Sequence, residues 1–392
     1  MPSLPMINKE KYLLFFIMYV FPSLLFAQIT WEKTIPWGFK VPVYDSKQTI
    51  DSGYIMVGEH GFGGIGGNDA LIFKLDKYGT EQWYTAFGGN EYDVAYSVAL
   101  SSDSGYVVTG YTRSFSSSNA YRLFISKFNS SGHKVWSKIY GKPGSVLKGF
   151  SIDVLPEGGY VIAGAVDKDM LILKTDNNGD TIWTKRYGDP SETAYEDASS
   201  IQRTNDGNYI VAGNAGVEFD DFIIMKVKSN GDTLWTKKFG DPSPSVHDHC
   251  NKVIQTTDGG YILAGFTESS VFMLPGANLR DPFIIKLDGN GMPVKAVTYQ
   301  PANARGGLMP HEQAFSIQKC SGGGYIVSAT MAGVRSSIEN MEDFYAMRLD
   351  EDLNVSWAKT FPGLKILGVA PMLAEVIRHI EKGQSVTDIY KQ

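Results

Sequence analysis

Apolar runs of five to eight residues alternate with turn-forming Gly, Asp and Asn along most of the chain. Runs of that length, rich in Val, Ile and aromatic residues, predict strands. One run recurs six times behind an Asp/Gly turn: DSGYIMVG (51–58), DSGYVVTG (103–110), EGGYVIAG (157–164), DGNYIVAG (206–213), DGGYILAG (258–265) and GGGYIVSA (322–329). Their tyrosines, Tyr54, Tyr106, Tyr160, Tyr209, Tyr261 and Tyr325, lie 52, 54, 49, 52 and 64 residues apart. A period of that size denotes a stacked or radial array of one supersecondary unit.

Each unit holds four apolar segments. A short strand such as AYSVAL (95–100) precedes the turn, and the Tyr-led strand follows it, closing on Gly58, Gly110, Gly164, Gly213 or Gly265. A third strand, as in DALIFKLD (69–76), ends in a recurring cation: Lys74, Lys127, Lys174, Lys226, Lys286 or Arg348. A fourth opens on Trp, as in WSKIYG (136–141), except in the fifth unit, which has Val294 there. Alternation in the fourth strand fits an edge with one solvated face. Its Trp is read as a packing wedge between units.

Four antiparallel strands repeated six times predict an all-β β-propeller of four-stranded blades. The count does not close. Trp31 opens WEKTIPWG (31–38), an orphan outer strand ahead of the first complete unit. Six complete repeats plus that strand fit a truncated seven-bladed propeller, whose ring would leave sheet edges open.

The repeat resembles that of secreted bacterial β-propeller proteins common in Bacteroidota, with a DGGYIVAG…D.fliKlD..Gd..W.k.yG consensus. The resemblance covers about residues 31–362. It implies a secreted propeller, often delivered to the cell surface, and no particular activity.

The ends differ from the repeat. Lys9 and Lys11, an apolar run over 12–26 and Ala27 have the layout of a secretory signal, 1–27. The propeller is expected over 28–363. The tail, 364–392, carries Pro371, then Leu373, Val376, Ile377 and Ile380 on one stripe, and Gly383 beyond, which predicts a C-terminal amphipathic helix. It resembles the opening helix of a transposase-type helix-turn-helix, without a recognition helix.

The net charge is −6, and removing a leader that carries Lys9, Glu10 and Lys11 makes it −7. A mildly acidic chain without a basic run argues against nucleic acid, and no segment after the leader is apolar enough to span a membrane. Cys250 and Cys320 sit 11 and five residues before their repeat tyrosines. That offset is about 20 Å along aligned strands, against a bridging limit near ~7 Å, so both are expected to be free and buried.

Candidate chemistry is sparse. An acid recurs 13 positions before the tyrosine as Asp93, Glu196, Asp248 and Glu312. On strands lining a central channel these would ring one mouth and hold a cation or polar ligand. The competing reading is that each accepts backbone N–H bonds from a neighbouring turn. His247, Asp248 and His249 are the densest metal-like cluster, with His311 and Glu312 as further ligands. DNNGD (176–180) spaces oxygens like the start of a calcium loop, whereas its sister turns keep only glycine. The Asp-x-x-Gly-x-x-x-Trp pattern is similar to the blade-docking motif of quinoprotein propellers but one residue shorter, which argues against a quinone.

No nucleophile elbow, zinc-hydrolase helix or phosphate loop is present in the sequence. The expectation is therefore a monomeric, secreted or cell-surface binding or scaffold module, taking a protein or glycan ligand and no cofactor beyond a calcium or other divalent ion. The alternatives are a hydrolase or lyase using the channel-mouth carboxylates, or a truncated remnant without function.

Overall fold

In a computed structural model the chain forms six four-stranded antiparallel sheets, each with its strands in sequence order from the inner to the outer edge. The structure describes residues 41–61, 67–115, 120–142, 144–188, 194–216, 221–240, 246–269, 280–299, 312–320, 322–332 and 342–361. The expected leader, the outer strand expected at Trp31, His311, most of 269–281 and the tail lie outside them. The six sheets are the blades of a propeller ring. Blades 1 to 6 span 43–87, 93–140, 147–187, 195–239, 248–298 and 313–361. No helix occurs among the described residues.

The inner strands are Val43–Gln48, Asp93–Leu100, Leu147–Val154, Tyr195–Arg203, Asp248–Gln255 and Gln313–Lys319. The second and third strands of each blade are almost wholly buried, and the outer strand alternates, as in Glu81–Phe87. This burial order explains the composition. The middle strands need apolar residues on both faces, because each packs against a neighbouring blade on either side.

The repeat residues account for the joints. The turn acid accepts the N–H two residues on, as Asp103 does from Gly105, and meets the third-strand cation, with Lys127 2.6 Å from Asp103 and Lys226 3.1 Å from Asp206. Blade 6 has Gly322 in place of the acid, and Arg348 instead reaches the Gly323 carbonyl at 2.5 Å. The outer-strand Trp of blades 1 to 4 packs on the repeat tyrosine of the next blade. Trp83 meets Tyr106, Trp136 meets Tyr160, Trp183 meets Tyr209 and Trp235 meets Tyr261, with ring centroids 5.9–6.5 Å apart.

The same Trp residues lie against the next blade's turn glycine. A Cβ on Gly132 would run into Trp83 and one on Gly291 into Trp235, and both glycines have positive φ. Blade 5 lacks the Trp, and the residue in register with it is Lys295, paired with Lys286, while Val294, the residue expected there, is exposed on the other face of the strand. Opposite Lys295, the turn of blade 6 carries Leu353, at φ 63° and 2% exposed, where the other turns have glycine. Tyr299 of blade 5 donates to the Leu353 carbonyl at 2.8 Å.

Mid-strand, Gly58, Gly110, Gly164, Gly213 and Gly265 do not end their strands, contrary to the reading of a closing turn. The strands run on, as in Tyr54–His60 and Tyr106–Thr112. A Cβ at each glycine would strike an inner-strand carbonyl, that of Pro42, Val94, Lys148, Asp197 or His249. A register shift lies opposite them, as between Ala95 and Ser97 and between Cys250 and Lys252. The bulge presses the inner strand onto the glycine and turns the extra residue out of the pairing.

Five junctions share a core cluster drawn from both blades. On blade 1, the face turned from blade 2 gathers Tyr54, Met56, Leu71, Phe73 and Leu75 with Val41 and Val43, and no other blade contributes among the described residues. Cys250 and Cys320 are free and buried.

Candidate functional site

The inner strands are tied by a ladder around the axis. In blades 1 to 4 the side chain nine positions before the repeat tyrosine accepts an N–H from the next blade's inner strand. Val98 donates to Asp45 at 3.1 Å, Ile152 to Ser97 at 3.3 Å, Ile201 to Ser151 at 3.2 Å and Val253 to Ser200 at 3.2 Å. On blade 5 the position is Lys252, and an ammonium group accepts nothing. The series is interrupted between blades 5 and 6.

Charge collects in this layer. Lys47 bridges Asp45 at 2.8 Å. Against the cost of burial, the ammonium groups of Lys47 and Lys252 hold the Asp45 carboxyl below its ordinary value. Burial, aided by Lys47, pushes Lys252 down, with Asp45 and Asp153 opposing. Burial pushes Asp153 up, although it accepts the Arg203 N–H at 2.9 Å. Inner-strand groups of blades 1, 3 and 5 are thus in mutual electrostatic reach across the axis.

One residue nearer the mouth lies the bulge position, ten before the tyrosine. It holds Tyr44, Tyr96, Phe150, Ser199, Asn251 and Phe315 in blades 1 to 6, and all six are half-buried. Tyr44 stacks on Tyr96 with centroids 4.7 Å apart, and Phe150 meets Tyr96 edge-on at 5.4 Å. Tyr111 lies 5.5 Å from Tyr96 and 5.0 Å from Tyr121. The Tyr92 hydroxyl donates to Glu59 at 2.5 Å and the Tyr44 hydroxyl at 3.4 Å. Burial first, and then Glu59, raises the Tyr44 phenol above its ordinary value.

Across the mouth, on blades 4 and 5, the lining is polar. Asp197 accepts from Ser199 at 2.8 Å and from Asn214 at 3.0 Å. Asn214 also lies 3.2 Å from His249 Nε2 and accepts the Cys250 N–H at 2.7 Å. Asn251 donates to the Ala314 carbonyl at 2.9 Å, and its Oδ1 has no hydrogen bond among the described residues. The connections between second and third strands at this end differ in length, from two residues in blade 3 to 13 in blade 5, whereas the opposite end carries the repeated tight turns.

The recurring carboxylates lie at the blade junctions beside this mouth. Asp93, Glu196, Asp248 and Glu312 are 1%, 7%, 1% and 3% exposed. Asp93 accepts from the Gly89 N–H at 2.9 Å and Ser114 Oγ at 2.7 Å, and Asp248 accepts from Thr267 Oγ1. Lys238 stands 3.9 Å from Glu196. Burial and nearby Asp281 push the Glu312 carboxyl up to about 7.

His247 and His249 are engaged separately. The His247 N–H donates to Glu268 at 3.3 Å, while the His249 ring stacks on Phe266 with centroids 5.5 Å apart. No group of three or more His, Cys, Asp or Glu side chains among the described residues is arranged around a common metal position. In the DNNGD turn, Asp176 Oδ1 accepts the N–H groups of Asn178 and Asp180 at 2.9 and 2.8 Å. Asp76 and Asp288 do the same in their own turns.

No protein-family model matches the chain, and no curated protein matches it. Solved structures do. A protein from Lactobacillus plantarum superposes with a TM-score of 0.50 at 13% identity, over 79% of this chain and 82% of that one. A protein of unknown function from Bacteroides caccae gives 0.47 at 14% identity, over 78% and 93%. The β-propeller domain of the Trilobed protease from Pyrococcus furiosus, which has an open velcro topology, gives 0.43 at 11% identity, over 83% and 84%. At these identities the likeness is one of fold.

Two sets of residues at this end escaped the sequence reading. Asp69, Asp169, Asp221 and Asp281 each lead a third strand and lie at the junctions that hold the recurring carboxylates. A Cβ on Gly88 would meet both Asp69 and Asp93. Their signal was present, since an acid stands five residues before the recurring cation in five of the six third strands, Asp343 being the fifth. The aromatic set at the bulge had a fainter one. It emerges only when the units are aligned backward from the tyrosine, and it is shared by four units of six.

Proposed function

We propose that this protein is an exported β-propeller that binds its ligand at the channel mouth where the inner strands begin, without transforming it. One observation carries the reading. The side chains that recur from blade to blade hold blades together, whereas the bulge position lines the mouth and changes from aromatic on blades 1 to 3 to polar on blades 4 and 5. A concave surface with an apolar wall and a few polar groups is what small-ligand recognition requires. The leader over 1–27 supports placement outside the cell or at its surface.

The test is a glycan and peptide binding screen on the purified chain, run with metal analysis and with turnover assays on every ligand found. Stoichiometric binding with the ligand recovered intact supports the module; turnover removes the binding-only reading.

A second reading, a hydrolase or lyase, is favoured by Glu312. Its carboxyl, raised by burial and then by Asp281 to about 7, falls in the range of a general acid working near neutral pH. In that case Glu312→Gln abolishes turnover while binding persists. Glu312 is 3% exposed, which places the burden on the turnover assay.

A further inference from the structure

The mouth sets three conditions on its occupant. The first is an apolar face. Tyr44, Tyr96 and Phe150 come from three successive blades and are only partly buried, with Tyr44 stacked on Tyr96 and Phe150 edge-on to it, so they leave aromatic surface open rather than forming a sealed core. The second is hydrogen-bonding capacity on the other side, from Asp197, Ser199 and Asn251, whose Oδ1 is an open acceptor.

The third condition is charge. The aromatic faces best placed for a cation already hold one: Lys148 Nζ lies 4.6 Å from the Tyr121 ring centre and 5.4 Å from that of Tyr111, and Arg113 lies 5.5 Å from Tyr121. A cationic ligand would meet Lys148 there. An anion would meet the carboxylates of Glu59 and Asp197, with the acids Asp93, Glu196, Asp248 and Glu312 at the junctions beside the mouth.

A molecule with one apolar C–H face, several hydroxyl groups and no charge meets all three conditions. We infer that the channel mouth binds a neutral saccharide, one sugar ring lying on the Tyr44–Tyr96–Phe150 wall with its hydroxyl groups turned toward Asp197, Ser199 and Asn251. This rests on the binding reading above and names the ligand class for the same mouth.

The experiment is calorimetric titration of the full chain with short neutral oligosaccharides of hexose, pentose and N-acetylhexosamine units. A uronate series and a pool of mixed peptides serve as comparators. Binding is expected from the neutral series, with Tyr96→Ala and Phe150→Ala each weakening it about tenfold or more, as central aromatic contacts do. Tyr96→Phe, which keeps the ring, is expected to stay within about threefold of the parent.

Because an alanine variant also removes packing at the blade joint, saturation-transfer NMR on the unaltered chain is the second measurement. Irradiating aromatic protons should mark the C–H positions of one sugar face. Failure of every neutral sugar to bind, or binding that both alanine variants leave unchanged, overturns the inference. Capture of peptides or uronates alone also overturns it while leaving the binding module standing. Cleavage of a bound neutral sugar would keep the ligand class and remove the binding-only reading.

Discussion

Lys226 Nζ, on blade 4, donates to the hydroxyl of Tyr261 on blade 5 at 2.8 Å, joining the recurring cation of one unit to the recurring tyrosine of the next. The same ammonium reaches Thr204 Oγ1 at 2.9 Å and Asp206 at 3.1 Å, and Lys226 is 4% exposed. Removing it strands a buried hydroxyl and an acid at once. Lys226→Met is expected to lower unfolding stability by about 2–4 kcal/mol, read from guanidinium denaturation. A loss below the error of that measurement would mean the contact contributes nothing net.

The facing of Lys295, which stands in register with the Trp of the other blades, and Leu353 predicts coupling. Lys295→Trp alone would overpack against Leu353, at a cost of about 1–3 kcal/mol. Leu353→Gly alone loses a buried side chain, about 2–4 kcal/mol, offset in part by relief of its positive φ. The double variant restores the Trp–Gly joint of the other blades. It should cost less than the two singles combined, by about 1 kcal/mol or more in a double-mutant cycle. Simple additivity would show that the two positions are independent.

The axial ladder predicts an effect from a single oxygen. Ser151 Oγ accepts the N–H of buried Ile201, and Ser151→Ala leaves that donor without its acceptor. The expected cost is about 1–2 kcal/mol. Thermal melts of the parent and variant check it, and equal midpoints would mean that water or a backbone shift replaces the bond.

Glu312 gives the pH prediction. Its folded value of about 7 lies above the ordinary 4.5, so between those values the folded chain holds a proton that the unfolded chain has released. The contribution is fully present below about pH 4.5 and is lost as pH rises through 7. Melting temperature should therefore carry a falling component over that window, and Glu312→Gln should remove it. A parent and variant with parallel profiles would show that Glu312 ionises normally.

The joints were largely legible in the sequence because each uses a residue that every unit needs. Tyr261, Lys226 and Trp235 recur for local and nearest-blade reasons, and recurrence is visible without coordinates. Where a unit departs from the pattern, the departure was visible too, but its compensation was not. The missing Trp of the fifth unit stood out, yet the string neither put Lys295 rather than Val294 in its place nor linked it to Leu353, in the turn of the following blade.

The recurring carboxylates show the opposite limit. The spacing of Asp93, Glu196, Asp248 and Glu312 was plain, but not which way each side chain turns. The inner strand carries a bulge just after them, and a one-residue shift in a strand exchanges its faces. The acids are turned into the junctions and the bulge residues toward the axis.

By itself the sequence determined six complete strand quartets, their turns and the residues that clamp neighbours, because all of these are set within one repeat or between adjacent ones. Only the tertiary structure decided the mouth. Tyr44, Tyr96 and Phe150 come from separate units, and Tyr44 reaches 4.7 Å from Tyr96 only because successive inner strands wind around one axis. Separation along the chain carries no information about that winding, whereas packing of each blade on the last imposes it.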